Sequence, residues 1–183
     1  MHSDLTVIGT GSLLMGDDGI GVRIVEQLAG GCGTAALGCD AETPSPLPSP
    51  GGGGCGIEYL DGSVGGLRLL NWIEQANRLL FVDGARFGDP AAPAAPGQCR
   101  LLTLEEVLGH ATGQDAQFSL HQTDLVSVLR LARQFYRVPP AWLLAIQVES
   151  VQMAKGLSPT LSAALPRLAD TVRRLALRLA RKA

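Results

Sequence analysis

Short apolar runs alternate with amphipathic segments along most of the chain. Apolar runs of strand length occur at Leu5 to Gly9, Ile57 to Leu60, Arg78 to Val82, Cys99 to Leu102 and Trp142 to Val148. Segments with apolar residues at helical spacing occur at Ile20 to Leu28, Leu67 to Gln75, Asp124 to Gln134 and from Pro159 onward. Because apolar strands alternate with helices, the pattern predicts an α/β fold. Its sheet should be mainly parallel and covered on both faces, with Cys99 to Leu102 at an edge.

Two of the predicted helices follow typical N-terminal sequences. Ser119 and Gln122 fit a capping box, and Ser158 with Pro159 supplies an N-cap followed by a proline at the first helical position. The last helix carries its apolar residues on one stripe: Leu161, Leu165, Leu168, Val172, Leu175 and Leu179. We predict that this stripe packs on the sheet while the arginines of the helix face solvent, in preference to a coiled coil.

One segment departs from the pattern. Residues 30–56 contain nine glycines and four prolines among 27 residues, with few apolar side chains. Burial of so little apolar surface does not offset the entropy lost on ordering, so we predict a flexible insert. The chain, residues 1–183, is then expected to form a single domain that carries this insert at 30–56.

Composition and charge exclude several classes of partner. The 183 residues have a formal net charge of -2, which provides no broad basic surface for nucleic acid or an anionic membrane. The sequence contains neither a long uncharged apolar stretch nor a basic leader at Met1, so we expect a cytoplasmic protein. The four cysteines form no C-x-x-C pair of the kind found in zinc and redox sites. We also expect a monomer.

Acidic residues follow three of the predicted strands. Asp17 and Asp18 lie in the loop after the first strand, Asp61 follows the second and Asp83 follows the third. Asp61 and Asp83 each precede glycine, and an Asp-Gly pair often does no more than close a turn. Parallel strands, however, bring their carboxyl ends to one edge of the sheet, where ligands bind in α/β folds. Three carboxylate-bearing loops at this edge favour a shared site.

His121 is expected beside the same edge, in the first turn of its predicted helix. The positive end of the helix dipole favours a neutral imidazole there, with a lone pair for a metal. Two carboxylates and one imidazole suit zinc, nickel or cobalt, and the residues do not choose among these ions. The loop Gly9-Thr10-Gly11-Ser12 has Leu14 where a dinucleotide fingerprint needs its third glycine, which disfavours a nucleotide site.

Five blocks of the sequence resemble the nickel-iron hydrogenase maturation endopeptidases, in the order found in that family. They are VIGTGSLLMGDDGIGVRIVEQL (7–28), LDGSVGGLRLL (60–70), LLFVDGA (79–85), FSLHQTDLVSVL (118–129) and GLSPTLSAAL (156–165). The similarity extends over the chain apart from residues 30–56. It implies a three-layer αβα sandwich with a twisted five-stranded sheet, which we expect to be mainly parallel with one antiparallel edge strand.

The resemblance also implies an activity and a set of site residues. The family removes a C-terminal extension from the hydrogenase large subunit after nickel insertion, and its nickel-recognising residues correspond here to Asp18, Asp83 and His121. These three are therefore the expected catalytic and metal-binding residues, with Asp17 and Asp61 as neighbouring acid/base or orienting groups. The nickel is expected to arrive in the substrate, the precursor of the large subunit, and no permanently bound cofactor is expected.

The sequence departs from the family pattern in three places. Ser12 stands where asparagine is common, and Asp18 where several members have glutamate. Asp61 is followed by Gly62, Ser63 and Val64, whereas the family often has D-G-G-T in a segment associated with choosing the large subunit. We expect Gly62, Ser63 and Val64 to contribute to substrate recognition.

Two other functions are compatible with the residues. One is a non-catalytic checkpoint protein that binds the nickel-loaded large subunit without cutting it. The other is a small α/β enzyme that binds a phosphorylated metabolite at the glycine loop.

Overall fold

The computed structural model describes residues 3–31, 56–63, 65–89, 91–110, 118–120, 123–154 and 156–181. The strands in this part of the chain are β1 (Leu5–Thr10), β2 (Ile57–Ser63), β3 (Leu79–Asp89), β4 (Ala92–Pro93), β5 (Cys99–Thr103), β6 (Phe118–Leu120) and β7 (Ala141–Gln147). The α-helices are α1 (Ile20–Gly31), α2 (Leu69–Gln75), α3 (Leu104–His110), α4 (Thr123–Phe135) and α5 (Pro159–Arg181). Short 3₁₀ helices at Gly16–Gly19 and Gly66–Arg68 lead into α1 and α2.

The main sheet has the strand order β2-β1-β3-β7-β5. The first four strands are parallel, and β5 runs antiparallel to β7 at the edge. The short strands β4 and β6 each pair with β3. The predicted fold class is confirmed, including the position of residues 99–102 at an edge of the sheet.

Alternate strand residues pack against helices on opposite faces of the sheet. Val7 and Leu80 belong to one apolar cluster, together with residues of α1 and α5. Ile8 and Phe81, their chain neighbours, belong to a second cluster with α2, α3 and α4. Since successive side chains of a strand point to opposite faces, apolar residues at every position require a helical layer on each side. The result is a three-layer sandwich.

The last helix begins and packs as its sequence predicts. The Ser158 hydroxyl accepts a hydrogen bond from the backbone N–H of Leu161 at 3.3 Å, which is the N-cap interaction. Leu161, Leu168, Val172 and Leu179 of the predicted stripe are buried in the cluster on that face of the sheet. The interpretation of α5 as a covering helix is therefore confirmed.

Two strands are longer than predicted, and both carry candidate acidic residues. Strand β2 continues to Ser63, so that Asp61 lies within it and pairs with Gly9 of β1. Strand β3 continues to Asp89, and Asp83 pairs within it with Ala145 of β7. The prediction that these aspartates follow the strands was wrong, because pairing with neighbouring strands continues through both Asp-Gly pairs.

The prediction of a capping box at Ser119 was also wrong. Ser119 lies in β6 and pairs with Arg86 of β3, and α4 begins only at Thr123. The extended β3 supplies a tertiary pairing partner that outweighs the local capping preference. A capping box is present instead at α3, which was not predicted. There, the Thr103 N–H donates to the Glu106 carboxylate at 2.7 Å, and the Glu106 N–H donates to the Thr103 hydroxyl at 3.4 Å.

The predicted insert lies almost entirely outside the described residues. Its first two glycines belong to the end of α1, which continues to Gly31, and Gly56 directly precedes β2. Among the described helices, none is both long enough and apolar enough to cross a membrane.

Candidate active site

The candidate site lies where β1 ends and its neighbour β3 continues. The last pair between these strands joins Gly9 to Val82, and the pairing of β3 with β6 begins only at Ala85. Asp83 and Gly84 therefore lie between two pairing partners on one side of β3, while β7 pairs with them on the other side. The loop after β1 packs beside this interval.

Close contact between α1 and the strand ends depends on glycine. A Cβ atom at Gly21 would collide with the backbone oxygens of Val82 and Thr10, and a Cβ at Gly9 would collide with the backbone oxygen of Gly21. These are backbone atoms, which have little freedom to move aside. The first turn of α1 is thus seated directly on the carboxyl ends of β1 and β3.

The loop after β1 lies against β3 at Gly84. A Cβ atom at Gly84 would be 3.4 Å from the backbone oxygen of Asp17 and 3.4 Å from the Cα of Asp18. The loop backbone therefore lies beside the residue that follows Asp83. This contact explains why Asp18 acts electrostatically on Asp83, although 65 residues separate them in sequence.

Asp83 is fully buried, with 0% of its surface exposed. Its Oδ1 accepts the backbone N–H of Gly84 at 2.9 Å. Among the described residues, no donor reaches its Oδ2, which is also buried. A buried carboxylate oxygen without a partner is costly in a folded protein, and such atoms are concentrated at functional sites.

The environment of Asp83 raises its pKa from the ordinary 3.8 to about 8. Burial is the main cause, because it penalises the charged form, and the negative charge of Asp18 adds to the effect. Hydrogen bonds from the Gly84 amide and the Thr10 hydroxyl lower the pKa in part. The Thr10 hydroxyl also lies 3.3 Å from the Val82 oxygen and has one proton for the two acceptors. Thr10 was not recognised from the sequence, where it is one more residue of a glycine-rich loop.

Asp18 is buried beside Asp83, with 2% of its surface exposed. Its Oδ2 accepts the backbone N–H of Ser12 at 2.7 Å, so that the loop after β1 folds back on itself. The structure thus brings together two of the predicted ligands, Asp18 and Asp83. Serine at position 12 is sufficient for this contact, because the donor is a backbone group.

Asp17 has a different environment, although it is also buried. Its Oδ2 accepts the N–H groups of Glu149 and Ser150, both at 3.0 Å, and its Oδ1 accepts the N–H of Ser158 at 2.6 Å. These donors lie in the segment between β7 and α5. With its acceptors occupied by backbone groups, Asp17 joins two loops, and these contacts favour the orienting role over proton transfer.

Asp61 and its neighbours lie at the end of β2. The exposed Asp61 accepts the Ser63 N–H at 2.8 Å and the Ser63 hydroxyl at 2.6 Å. Ser63 has φ of 40°, in the left-handed region, and its backbone oxygen accepts the N–H of Gly11 at 3.0 Å. Gly62 is buried between these two residues, and Val64 lies outside the described residues. These contacts give Asp61 the turn role that its sequence also allowed.

His121, the third predicted ligand, lies outside the described residues. Strand β6 ends one residue before it, at Leu120, and the neighbouring Leu120 pairs with Ala85, two residues beyond Asp83 on β3. Among the described residues, no group of three or more histidine, cysteine, aspartate or glutamate side chains is suited to hold a metal ion. His121 therefore stays a prediction.

Known proteins with similar sequences are named for hydrogenase maturation or for hydrogenase expression and formation. A model of the family described as hydrogenase maturation protease matches residues 54–175. The hydrogenase 2 maturation protease of Escherichia coli strain K12 is 30% identical over 159 residues, which cover 87% of this chain and 82% of that protein. The hydrogenase expression/formation protein HupD of Bradyrhizobium diazoefficiens is 30% identical over 135 residues, which cover 74% of this chain and 57% of that protein.

Solved structures agree with the sequence matches. The hydrogenase maturating endopeptidase HybD from E. coli superposes with a TM-score of 0.65 at 29% identity, covering 94% of this chain and 90% of that chain. The [NiFe] hydrogenase maturation protease HybD from Thermococcus kodakarensis gives a TM-score of 0.65 at 16% identity, covering 96% and 99%. At 16% identity, the match to the Thermococcus kodakarensis protein shows similarity of fold alone.

Proposed function

This chain belongs to the hydrogenase maturation protease family, and from this premise we propose that it is an endopeptidase that removes the C-terminal extension of the nickel-iron hydrogenase large subunit after nickel insertion. The substrate is the large-subunit precursor, and its own nickel takes part in the cleavage. The observation that carries this proposal is the buried pair of Asp18 and Asp83, with Oδ2 of Asp83 lacking a donor among the described residues.

The chemistry of the acid pair is suited to recognising a divalent cation. Two adjacent carboxylates in a buried site repel each other, and the raised pKa of Asp83 keeps a proton there near neutral pH. A divalent ion held by the precursor would neutralise this repulsion and take the place of the proton. Asp18, Asp83 and His121 would then be an oxygen and nitrogen ligand set of the kind that nickel accepts.

Nickel bound at this position would act as a Lewis acid in peptide hydrolysis. It would polarise the scissile carbonyl or lower the pKa of an attacking water. Dependence on the substrate's own nickel would restrict cleavage to precursors that are already loaded.

The decisive assay compares nickel-loaded and nickel-free precursor. We expect a mass decrease that corresponds to release of the C-terminal peptide from loaded precursor only. Loaded precursor that stays full length but co-purifies with the protein would support the checkpoint function instead. Cleavage of nickel-free precursor would exclude the role of nickel while leaving the endopeptidase activity intact.

Replacing His121 by alanine is expected to abolish this cleavage. The substitution removes the imidazole predicted to complete the ligand set, and circular dichroism should show an unchanged fold. His110→Ala is the matched control, since His110 ends α3 and has no proposed role. If His121→Ala cleaves loaded precursor at the wild-type rate, His121 is not part of the site.

Two exposed apolar side chains lie on the loops beside the acid pair and are expected to contact the precursor. Leu14 is 64% exposed and Met153 is 86% exposed. The two loops are joined by a hydrogen bond from the Ala154 N–H to the Leu14 oxygen at 3.1 Å. Because the same loop carries Asp18, a precursor that places nickel on Asp18 would pass over this apolar surface.

Met153→Asp is therefore expected to raise the KM for loaded precursor about tenfold, the equivalent of roughly 1.4 kcal/mol of binding. The kcat should change much less, because the acid pair stays intact. Phe135→Asp is the control, since Phe135 is 71% exposed at the end of α4, away from the carboxyl ends of the strands. Equal effects of the two substitutions on KM would contradict a contact at Met153.

A further inference from the structure

Asp17 joins two segments that are distant in sequence. Its carboxylate accepts three backbone N–H groups, from Glu149, Ser150 and Ser158, and only 1% of its surface is exposed. We call this set of contacts the Asp17 junction. A charged acceptor with three backbone donors is a strong and directional anchor. The junction thus attaches the loop after β1 to both ends of the segment between β7 and α5.

Backbone contacts extend the junction along both segments. The Asp17 N–H donates to the Ser150 oxygen at 3.2 Å, and the Gly16 N–H donates to the Ala154 oxygen at 3.2 Å. Met15 and Ala154 form an isolated parallel bridge. The two segments therefore behave as one small unit, in which the Asp17 carboxylate accepts hydrogen bonds from both ends of the second segment.

The next residue along the chain is Asp18, one member of the acid pair. A planar peptide group connects the two residues, so that a movement of Asp17 changes the position of Asp18. The backbone of both lies against Gly84, and the Asp18 carboxylate is held by the Ser12 N–H at 2.7 Å. The Ser12 N–H and the junction beside Asp18 therefore both act on the direction of its carboxylate.

We propose that Asp17 is a positioning residue of this site, which holds the Asp18 carboxylate toward Asp83 by joining the loop after β1 to the segment between β7 and α5. Its consequence for cleavage rests on the proposed function. The positioning itself does not, because it is a property of the protein without substrate. Asp17 contacts neither the nickel nor the peptide in this role.

Asp17→Asn tests the proposal by removing the charge with little change in size. The amide presents one acceptor and one donor group, so the backbone N–H groups on one side face a donor. The readout is the backbone amide resonance of Ser12 in a ¹⁵N-correlated NMR spectrum of the protein alone. Because this amide donates to Asp18, we expect it to move upfield in the variant as that bond weakens.

Ser158 provides a second pair of variants if Asp17→Asn does not fold. Ser158→Pro removes both the hydroxyl and the N–H that donates to Asp17, whereas Ser158→Ala removes the hydroxyl alone. Ser158 is not among the described residues with positive φ, so its backbone does not oppose proline on that ground. We expect the Ser12 amide to move in Ser158→Pro and to keep its position in Ser158→Ala.

Cleavage assays give the functional readout. Displacing a group that orients a metal-binding residue typically costs about 10- to 100-fold in activity, and we expect this loss for Asp17→Asn in kcat more than in KM. Ser158→Ala should stay close to wild type.

Two results would overturn the proposal. One is a folded Asp17→Asn protein whose Ser12 amide resonance keeps its wild-type position. The other is a Ser12 amide resonance at the same position in Ser158→Pro and in Ser158→Ala. If the Ser12 amide moves as expected but wild-type protein cuts no loaded precursor, the positioning role stands and the proposed function fails.

Discussion

Replacing Asp83 by asparagine is expected to abolish precursor cleavage while making the folded protein more resistant to unfolding at pH 8 than the wild type. The two effects have the same origin. Asp83 is a fully buried carboxylate with one oxygen that meets no donor among the described residues. That arrangement suits a cation-binding group, and it destabilises the fold when no cation is present.

The loss of activity follows from the ligand role proposed for Asp83. Asparagine keeps an oxygen that can accept the Gly84 N–H, so the local structure should survive. It has no negative charge for the nickel of the precursor. We expect cleavage to fall roughly 1000-fold or more, as for the loss of several kcal/mol of transition-state stabilisation. Asp170→Asn is the control, because Asp170 lies in an exposed ion pair on α5.

The stability effect depends on pH in a defined direction. In the unfolded chain Asp83 ionises near pH 3.8, whereas in the folded protein it holds its proton up to about pH 8. Between these values the folded state binds more protons, so the free energy of unfolding falls as the pH rises. Each pH unit in this window contributes at most about 1.4 kcal/mol. The asparagine variant lacks this contribution.

Urea unfolding at pH 5 and at pH 8 measures the difference. The free energy of unfolding of Asp83→Asn, relative to that of the wild type, should increase from pH 5 to pH 8. The reason is that only the wild type loses the stability linked to the proton on Asp83. Parallel pH profiles for the two proteins would contradict the raised pKa of Asp83. Wild-type cleavage by Asp83→Asn, with the protein folded, would remove Asp83 from the nickel site.

Gly21→Ala is expected to give the largest loss of stability among the substitutions considered. The added Cβ would collide with the backbone oxygens of Val82 and Thr10, which belong to two strand ends. Overpacking of this kind costs about 1 to 3 kcal/mol. For a chain of 183 residues, this corresponds to a decrease in Tm of roughly 2 to 12 °C. The first turn of α1 would move away from the sheet, and the loop carrying Asp18 with it.

Gly30→Ala is the matched control in the same helix. A Cβ at Gly30 would have no atom within 4 Å, and Gly30 does not have the positive φ that would disfavour alanine. This variant should therefore be as stable as wild type or slightly more stable, and should cleave precursor normally. Calorimetry on the two proteins checks the prediction. Equal Tm values would mean that the contact at Gly21 is not tight enough to matter.

Much of the fold was predictable because local patterns report which side of an element is buried. Short apolar runs identified five strands, the apolar stripe of α5 identified the covering helix, and Ser158 marked where that helix begins. The errors were made at strand ends and at Ser119. Pairing of β2 with β1, and of β3 with β6 and β7, decided these positions, and each partner is distant in sequence.

The candidate site was predictable in its members but not in their roles. Asp17, Asp18, Asp61 and Asp83 look alike in the sequence, as aspartates beside glycine-rich turns. In the structure Asp17 accepts three backbone N–H groups, and Asp61 accepts the N–H and hydroxyl of the nearby Ser63. Asp18 and Asp83 form a buried pair. His121 stays a prediction, since it lies outside the described residues.

By itself the sequence determined the layered α/β architecture, the edge of the sheet that carries the acidic residues, and the family to which the chain belongs. Only the tertiary structure decided which carboxylate is desolvated and which is an anchor. The reason is that the pKa and hydrogen bonding of an aspartate depend on groups brought close by folding. For Asp83 these include Asp18, 65 residues earlier, and for Asp17 they are backbone donors more than 130 residues later.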